Sequence, residues 1–249
     1  MNKENHSVRD VSVILPAYNE KENIKRLISE ILENIGKNVE ILVVDDDSPD
    51  GTWKIVEDMA KENNNIILLR RMNKRGLTSA LTDGIKLAKG NIIAWMDTDL
   101  SMPPEKLKEL TQKIESGYDI AVGSRYISGG GMVIVSKSQD SLFSAILSYI
   151  INFMIQKILN SSFHDYTSGF IAIRKKILQE IELKGDYGEY FIDLIYRAIK
   201  KKYKVIELPY ISLARKHGFS KTGTNFMQYL KRGTKYFWTT IGLKFTKIR

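Results

Sequence analysis

Between residues 11 and 122, short and almost wholly apolar runs alternate with longer stretches of helical periodicity, and that rhythm leaves few folds open. Val11–Leu15 (VSVIL), Val39–Val44 (VEILVV), Ile66–Leu69, Ile92–Met96 and Ile120–Val122 read as strands. They are too continuously apolar to keep one face in water, so both faces of the sheet must be covered. The segments between them, about Glu20–Asn34, Thr52–Glu62, Thr78–Ala88 and Pro104–Ser116, read as the covering helices. In the first, Ile24, Leu27, Ile28, Ile31, Leu32 and Ile35 recur at three- and four-residue spacing. Pro103 and Pro104 suit a helix start, whose first turn has no use for a proline N–H. The expected fold is α/β, a mainly parallel, Rossmann-like sheet with helices on both faces.

Sheets of this kind bind ligands beyond the carboxyl ends of their strands, and acidic residues collect at those ends. Asp45, Asp46 and Asp47 follow the second strand, and Asp97 and Asp99 follow the fourth. In an extended segment Asp97, Asp99 and Ser101 face one way. Two such carboxylates are hard oxygen ligands suited to Mg²⁺ or Mn²⁺ shared with a phosphate; the competing reading is a solvated, helix-capping turn. The run Asp45–Thr52 combines carboxylates that could accept from ribose or base with Ser-Pro-Asp-Gly-Thr turn chemistry. There is no Gly-x-Gly-x-x-Gly and no Walker sequence. His6, His164 and His217 are scattered and form no hydrolase arrangement, and with no cysteine there is no thiolate chemistry.

Past Tyr126 the rhythm changes. A Gly129-Gly130-Gly131 loop precedes Leu142–Leu159, an apolar helix whose Ser144, Ser148, Asn152 and Gln156, with Asn160 just beyond, make one narrow polar stripe. Its uncharged stretch, Ser141–Gln156, is shorter than the roughly 20 residues that span a bilayer. A helix over Tyr190–Lys201 and a strand over Lys204–Leu208 follow. The net charge of +9 lies wholly in what remains: nine basic residues and no acidic one come after Glu207, while residues 1–207 carry 29 of each sign. Phe226, Tyr229, Leu230, Gly233, Tyr236 and Phe237 fall on one helical face beside Lys231, Arg232 and Lys235. An apolar face with a basic flank suits an anionic membrane surface. The chain is therefore expected to divide into one α/β domain over 1–210 and a basic, aromatic, membrane-proximal tail over 211–249.

The motifs VSVILPAYNE (11–20), VVDDDSPDGT (43–52), MDTDLSMPPE (96–105), GSRY-x-x-GG (123–130), YTSGF (166–170) and Arg215…Gly218-Phe219-Ser220-Lys221 stand in collinear order. Together, over residues 9–223, they resemble family 2 glycosyltransferases, and more narrowly the dolichyl-phosphate mannose synthase and polyprenyl-phosphate glycosyltransferase group. The resemblance implies a GT-A fold, a nucleotide-sugar donor, a divalent cation (Mg²⁺ or Mn²⁺) and a dolichyl or polyprenyl phosphate acceptor. It implies that Pro16, Ala17, Tyr18 and Glu20 form the first nucleotide-contacting turn, and that Val44 and Asp46 flank base and ribose. Asp97 and Asp99 take the metal and diphosphate, with the Thr98 backbone between them and Ser101 where some members place a Gln ligand. Arg125 matches the basic residue near the reacting phosphate, and Arg215 and Lys221 match the pair that closes over the substrates.

One departure concerns the acceptor. Where relatives carry a further Arg downstream of the GG loop, this chain reads Ser136-Lys137-Ser138-Gln139, and Lys137 offers a point charge in place of a fork. The expected reaction is an inverting transfer of a hexose, mannose from GDP-mannose first and glucose from UDP-glucose second, with the acceptor phosphate as nucleophile. It would run at the cytoplasmic face of a membrane, with peripheral attachment through the tail or a membrane partner subunit. A glycan or protein acceptor would require a base, with Glu189 and Asp193 the nearest candidates. An inactive lipid-binding relative is a further alternative. A nucleic-acid-binding module is disfavoured, because the acidic strand ends would repel a polyanion.

Overall fold

The computed structural model describes residues 10–36, 38–133, 139–215 and 226–246. In chain order the elements are β1 (Val11–Ala17), α1 (Lys21–Ile35), β2 (Val39–Asp45), α2 (Thr52–Glu62), β3 (Ile66–Arg70), α3 (Leu77–Leu87), β4 (Ile92–Trp95) and α4 (Pro104–Glu115). Then come β5 (Ile120–Ser124), β6 (Gly131–Met132), α5 (Gln139–Ile158), β7 (Ile171–Arg174), α6 (Lys175–Glu180), α7 (Glu189–Lys200), β8 (Val205–Pro209), β9 (Ile211–Ser212) and α8 (Phe226–Phe245).

Seven strands make one sheet in the order β3-β2-β1-β4-β7-β5-β8, and β6 and β9 pair separately. Alternation along each strand sorts its side chains to two layers. Val13, Leu15, Ile41 and Val43 pack under α1 and α4, while Ile14, Leu42 and Val44 pack under α3. The predicted face of α1 is the buried one, with Ile24, Leu27, Ile28 and Ile31 fully enclosed. Helix α3 comes unusually close to the sheet: a Cβ on Gly84 would lie 2.7 Å from Ile14 Cγ2 and 3.2 Å from Val44 Cγ2.

The five expected strands and four helices of residues 11–122 are all present. The sheet also holds β7, antiparallel to both β4 and β5, which was not read from the sequence. Four residues are too few to display a period, and the return strand completes the order only through contacts distant in sequence.

The structure settles which sides the two late helices present. On α5 Asn152 and Gln156 face the protein together with Ile155 and Leu159, and Ile146, Tyr149, Ile150, Phe153 and Met154 face outward, each 46–56% exposed. On α8 the inward row is Tyr236, Thr240 and Leu243, while Phe237, expected beside Tyr236, is exposed with Trp238 and Phe245. Helix α8 packs on α7, where the Tyr236 hydroxyl sits so close to Gly188 that no Cβ would fit there. Among the described residues no helix is long and apolar enough to cross a membrane.

Candidate active site

The carboxyl ends of β1, β2 and β4 open side by side, and hydrogen bonds between their exit loops hold the floor of a cleft. Asp46 N donates to Ala17 O (3.1 Å), Thr98 Oγ1 to Pro16 O (3.3 Å) and Asn19 N to Ser48 Oγ (3.0 Å). Asp45 is fully buried and serves this framework: it accepts from Ser48 N (2.8 Å) and Ser48 Oγ (2.6 Å), and burial pushes its carboxyl up. The turn chemistry of residues 45–52 is therefore real, and the neighbouring carboxylates take other roles.

Asp46 is held from beyond β3. Its Oδ1 accepts from Arg71 Nε (2.8 Å) and Nη2 (2.5 Å), and its Oδ2 from Gly76 N (2.9 Å). Arg71 also bonds Ser79 Oγ, Asp83 Oδ2 and Gly76 O, so all of its N–H groups are engaged. Sequence reasoning missed Arg71; its only signal was a position directly after a strand that ends in another arginine. Val44 lies wholly in the core against Gly84, so its side chain does not enter the cleft. Tyr18 is half-buried under the Arg75 guanidinium, 4.5 Å from the ring centroid.

At the end of β4 the two acidic residues differ. Asp99 is nearly buried, with Oδ1 accepting from Ser101 N (3.0 Å) and Oδ2 paired with Arg215 Nη2 (2.9 Å). Asp97 projects exposed into the cleft, where desolvation by the surrounding protein and repulsion from Asp99 push its carboxyl up to about 7 against the pull of Arg215 and Arg125. Leu100 follows with φ +62, a left-handed conformation that a bulky residue adopts only under constraint from its neighbours. Arg215 also reaches Glu20 Oε1 (3.2 Å), so one late arginine joins the exits of β1 and β4. Lys137 and Lys221 lie outside the described residues.

Beyond Asp97 the cleft deepens into a cavity of about 380 Å³. Its polar end carries Asp97, Ser101 and Arg125; its walls include Ile151 of α5, Phe191 of α7 and Tyr236 of α8. Arg125 is set by Asp165, a fully buried residue also missed in the sequence although it directly precedes the YTSGF motif. Arg125 Nε donates to Asp165 Oδ2 (2.9 Å), and Nη2 donates to Asp165 Oδ1 (2.8 Å) and Thr167 Oγ1 (2.9 Å). Among the described residues Nη1 has no protein partner. Asp97 is the only carboxylate among the described lining residues. Burial holds the phenols of Tyr190 and Tyr210 above their ordinary range, so neither is a base at neutral pH. Glu189 and Asp193 line a separate cleft between α7 and α8: Glu189 accepts from Asp186 N (3.0 Å), and Asp193 pairs with Arg197 (2.8 Å).

The residues fit a divalent cation. Among the described residues no three acidic or histidine side chains gather to enclose an ion by protein alone. Asp97 and Asp99 do supply two carboxylates, with Ser101 beside Asp97 on the cavity wall, and their mutual repulsion is only partly relieved by arginines. One or two carboxylates completed by substrate phosphates and water is how Mg²⁺ and Mn²⁺ are usually held beside a nucleotide.

Comparison with known proteins places the chain in a family. The profile of Glycosyl transferase family 2 matches residues 12–182. Dolichol-phosphate mannosyltransferase of Pyrococcus furiosus is 37% identical over 227 residues, which cover 89% of this chain and 62% of that protein. Polyprenol monophosphomannose synthase of Mycolicibacterium smegmatis is 34% identical over 224 residues, 87% of this chain and 82% of that one. The chain thus spans less than two thirds of the Pyrococcus protein's length. Among solved structures, glucosyl-3-phosphoglycerate synthase of Mycobacterium tuberculosis, in complex with Mn²⁺, UDP and its product, superposes with a TM-score of 0.68. It is 17% identical, over 94% of this chain and 80% of that one, a likeness of fold.

Proposed function

Because the chain belongs to glycosyl transferase family 2, we propose that it transfers a hexose, mannose from GDP-mannose, to a dolichyl or polyprenyl phosphate with inversion. The observation that carries this reading is the cavity beyond Asp97, which among the described residues offers an arginine, apolar walls and no carboxylate besides Asp97, the residue assigned here to the cation. An alcohol acceptor would need a base to become a nucleophile. A phosphate monoester is already anionic, and it asks instead for positive charge at its head and apolar surface along its chain. The names of the Pyrococcus and Mycolicibacterium relatives support the same acceptor and sugar.

In this mechanism Pro16, Ala17, Tyr18 and Glu20 seat the nucleotide, and Asp46, fixed by Arg71 and Gly76 N, presents its remaining lone pairs to the nucleoside. Asp97 and Asp99, with Ser101 and the Thr98 backbone, would hold Mg²⁺ or Mn²⁺ at the diphosphate. A bound cation there supplies Lewis-acid neutralisation of the leaving nucleoside diphosphate. Arg125 holds the acceptor phosphate through its open edge, joined by Lys137, and Arg215 and Lys221 offset repulsion between the two anionic substrates. Tyr190, Phe191 and the α5 and α8 walls limit water at the reacting carbon.

The catalytic domain of this reading is 1–210 and the tail is 211–249. The protein works peripherally at the cytoplasmic face of a membrane. The outward apolar row of α5 and the exposed Phe237, Trp238 and Phe245 of α8 meet the lipid, with the tail's lysines and arginines toward anionic headgroups. The test is a transfer assay in liposomes containing a polyprenyl phosphate, with Mg²⁺ or Mn²⁺ and a panel of sugar nucleotides, read by mass spectrometry of the extracted lipid. A mannosyl-phosphoryl lipid from GDP-mannose is the expected product. Product from UDP-glucose alone would overturn the donor, and no lipid product from any donor would overturn the acceptor.

A further inference from the structure

Helix α5 turns Asn152 and Gln156 inward beside the buried Ile155 and Leu159, and these polar side chains do not simply rest on the core. Asn152 is almost completely buried; its Nδ2 donates to His164 O, and its Oδ1 accepts from Tyr166 N (2.8 Å). Gln156, one turn further on, donates to the same His164 O (2.5 Å). These groups thus clamp the backbone on both sides of Asp165, the residue whose carboxylate fixes Arg125 by three bonds: two from the guanidinium and one from Arg125 N (2.9 Å). From the other side Glu207 of β8 accepts from Asp165 N (3.0 Å) and His164 N (2.9 Å). The Asp165 carboxylate is wholly buried, so its aim is set by this clamp and not by solvent.

We propose that Asn152 is a positioning residue for the transfer reaction: through the His164–Tyr166 backbone it aims Asp165, and through Asp165 it aims the Arg125 guanidinium into the cavity. The inference rests on the proposed acceptor role of Arg125. Its physical content is that helix α5, which walls the acceptor cavity with Ile151 and Ser148, also sets the cation at the cavity's polar end. A displacement of α5 would therefore change acceptor capture and leave the nucleotide turn, which lies across the sheet at β1 and β2, as it was. Without Asn152 the buried Tyr166 N would lose its partner and His164 O would keep only Gln156, and the loop would re-form around other bonds.

The test compares wild type with Asn152→Leu, close in volume and without hydrogen-bonding groups, and with the milder Gln156→Leu. Steady-state transfer from GDP-mannose to a polyprenyl phosphate is measured alongside GDP affinity by calorimetry. The expected result is a 10–100-fold rise in acceptor KM for Asn152→Leu and a smaller rise for Gln156→Leu, with GDP affinity within twofold of wild type. In parallel, the side-chain Nε–H resonance of Arg125, assigned by its loss in Arg125→Lys, should exchange with solvent at least tenfold faster in both variants. Donor and acceptor parameters worsening together, or an Arg125 Nε–H signal unchanged in a folded variant, would overturn the proposal. Should Asn152→Leu fail to fold, Gln156→Leu decides by the same criteria. Absence of lipid product from wild type would strike the proposed function alone, because the Arg125 resonance reports on positioning without any reaction.

Discussion

Replacing Arg71 by alanine tests how the nucleotide side of the cleft is held. The side chains of Arg71 and Asp46 are 4% and 11% exposed, so neither charge is screened by bulk water. Removing the guanidinium leaves Asp46, among the described residues, with Gly76 N as its remaining protein donor and strips Asp83 and Ser79 of an inward partner. Deleting one member of a buried pair costs roughly 3–5 kcal/mol, because the other charge stays buried without compensation. With a urea m-value of about 3 kcal/mol/M, near the top of the usual range and fitting for a chain of this length, the midpoint should fall by about 1–1.7 M. Arg71→Lys should recover only part of that, since an ammonium cannot bridge Asp46, Asp83 and Gly76 O at once. The assay is urea unfolding followed by circular dichroism, repeated with Asp46→Asn and the double variant. A midpoint shift below about 0.3 M for Arg71→Ala, or costs that simply add in the double variant, would refute the buried-clamp reasoning.

Three further outcomes follow from the same geometry. Asp97, with its pKa pushed up to about 7, must release a proton to ligate metal; Mn²⁺ affinity should therefore rise with pH up to about 7 and level off above. Well below that pH the loss approaches about tenfold per unit, and Mn²⁺ electron paramagnetic resonance between pH 5 and 8 would show a flat affinity if this is wrong. Gly84→Ala should destabilise by about 1–3 kcal/mol despite the better helix former, because its Cβ meets Ile14 and Val44; calorimetric melting reads the sign. Ile150→Ser with Phe153→Ser should release the protein from anionic vesicles in a flotation assay while leaving its melting temperature within a few degrees, since both side chains are about half exposed.

Much of the sheet was legible because its strands are local and continuous. VSVIL and VEILVV declare a strand covered on both faces without reference to anything else, and the face of α1 follows from its spacing alone. Asp97, Asp99 and Arg215 were legible as candidates because acidic strand ends and ordered motifs are patterns along the chain, and the structure brings Arg215 to both Glu20 and Asp99. Arg71 and Asp165 were not. Each is a charged residue in an unremarkable context whose importance comes from complete burial beside a partner 25 or 40 positions away, and burial of a charge leaves no periodic trace. Strand β7 was missed for a related reason, since four residues take their place in the sheet from their neighbours and not from themselves.

Helix α5 marks where periodicity stops informing. An apolar helix with a polar residue at every fourth position has two distinguishable faces, but spacing says nothing about which of them is inside. In a water-soluble helix the apolar stripe turns inward because apolar burial is worth about 25 cal/mol per Å². Here the neighbouring loop draws polar groups inward beside the buried Ile155 and Leu159: the backbone around Asp165 must bend to present that carboxylate to Arg125, and the groups it exposes need partners that Asn152 and Gln156 provide. Turning Asn152 and Gln156 outward would leave His164 O and Tyr166 N buried without these partners, at about 1–3 kcal/mol each. The apolar row at Ile146, Tyr149, Ile150, Phe153 and Met154 is left facing outward as a consequence. A lipid surface offers that row the burial the protein does not, so the proposed membrane attachment and the aim of the active-site arginine follow from one orientation of one helix.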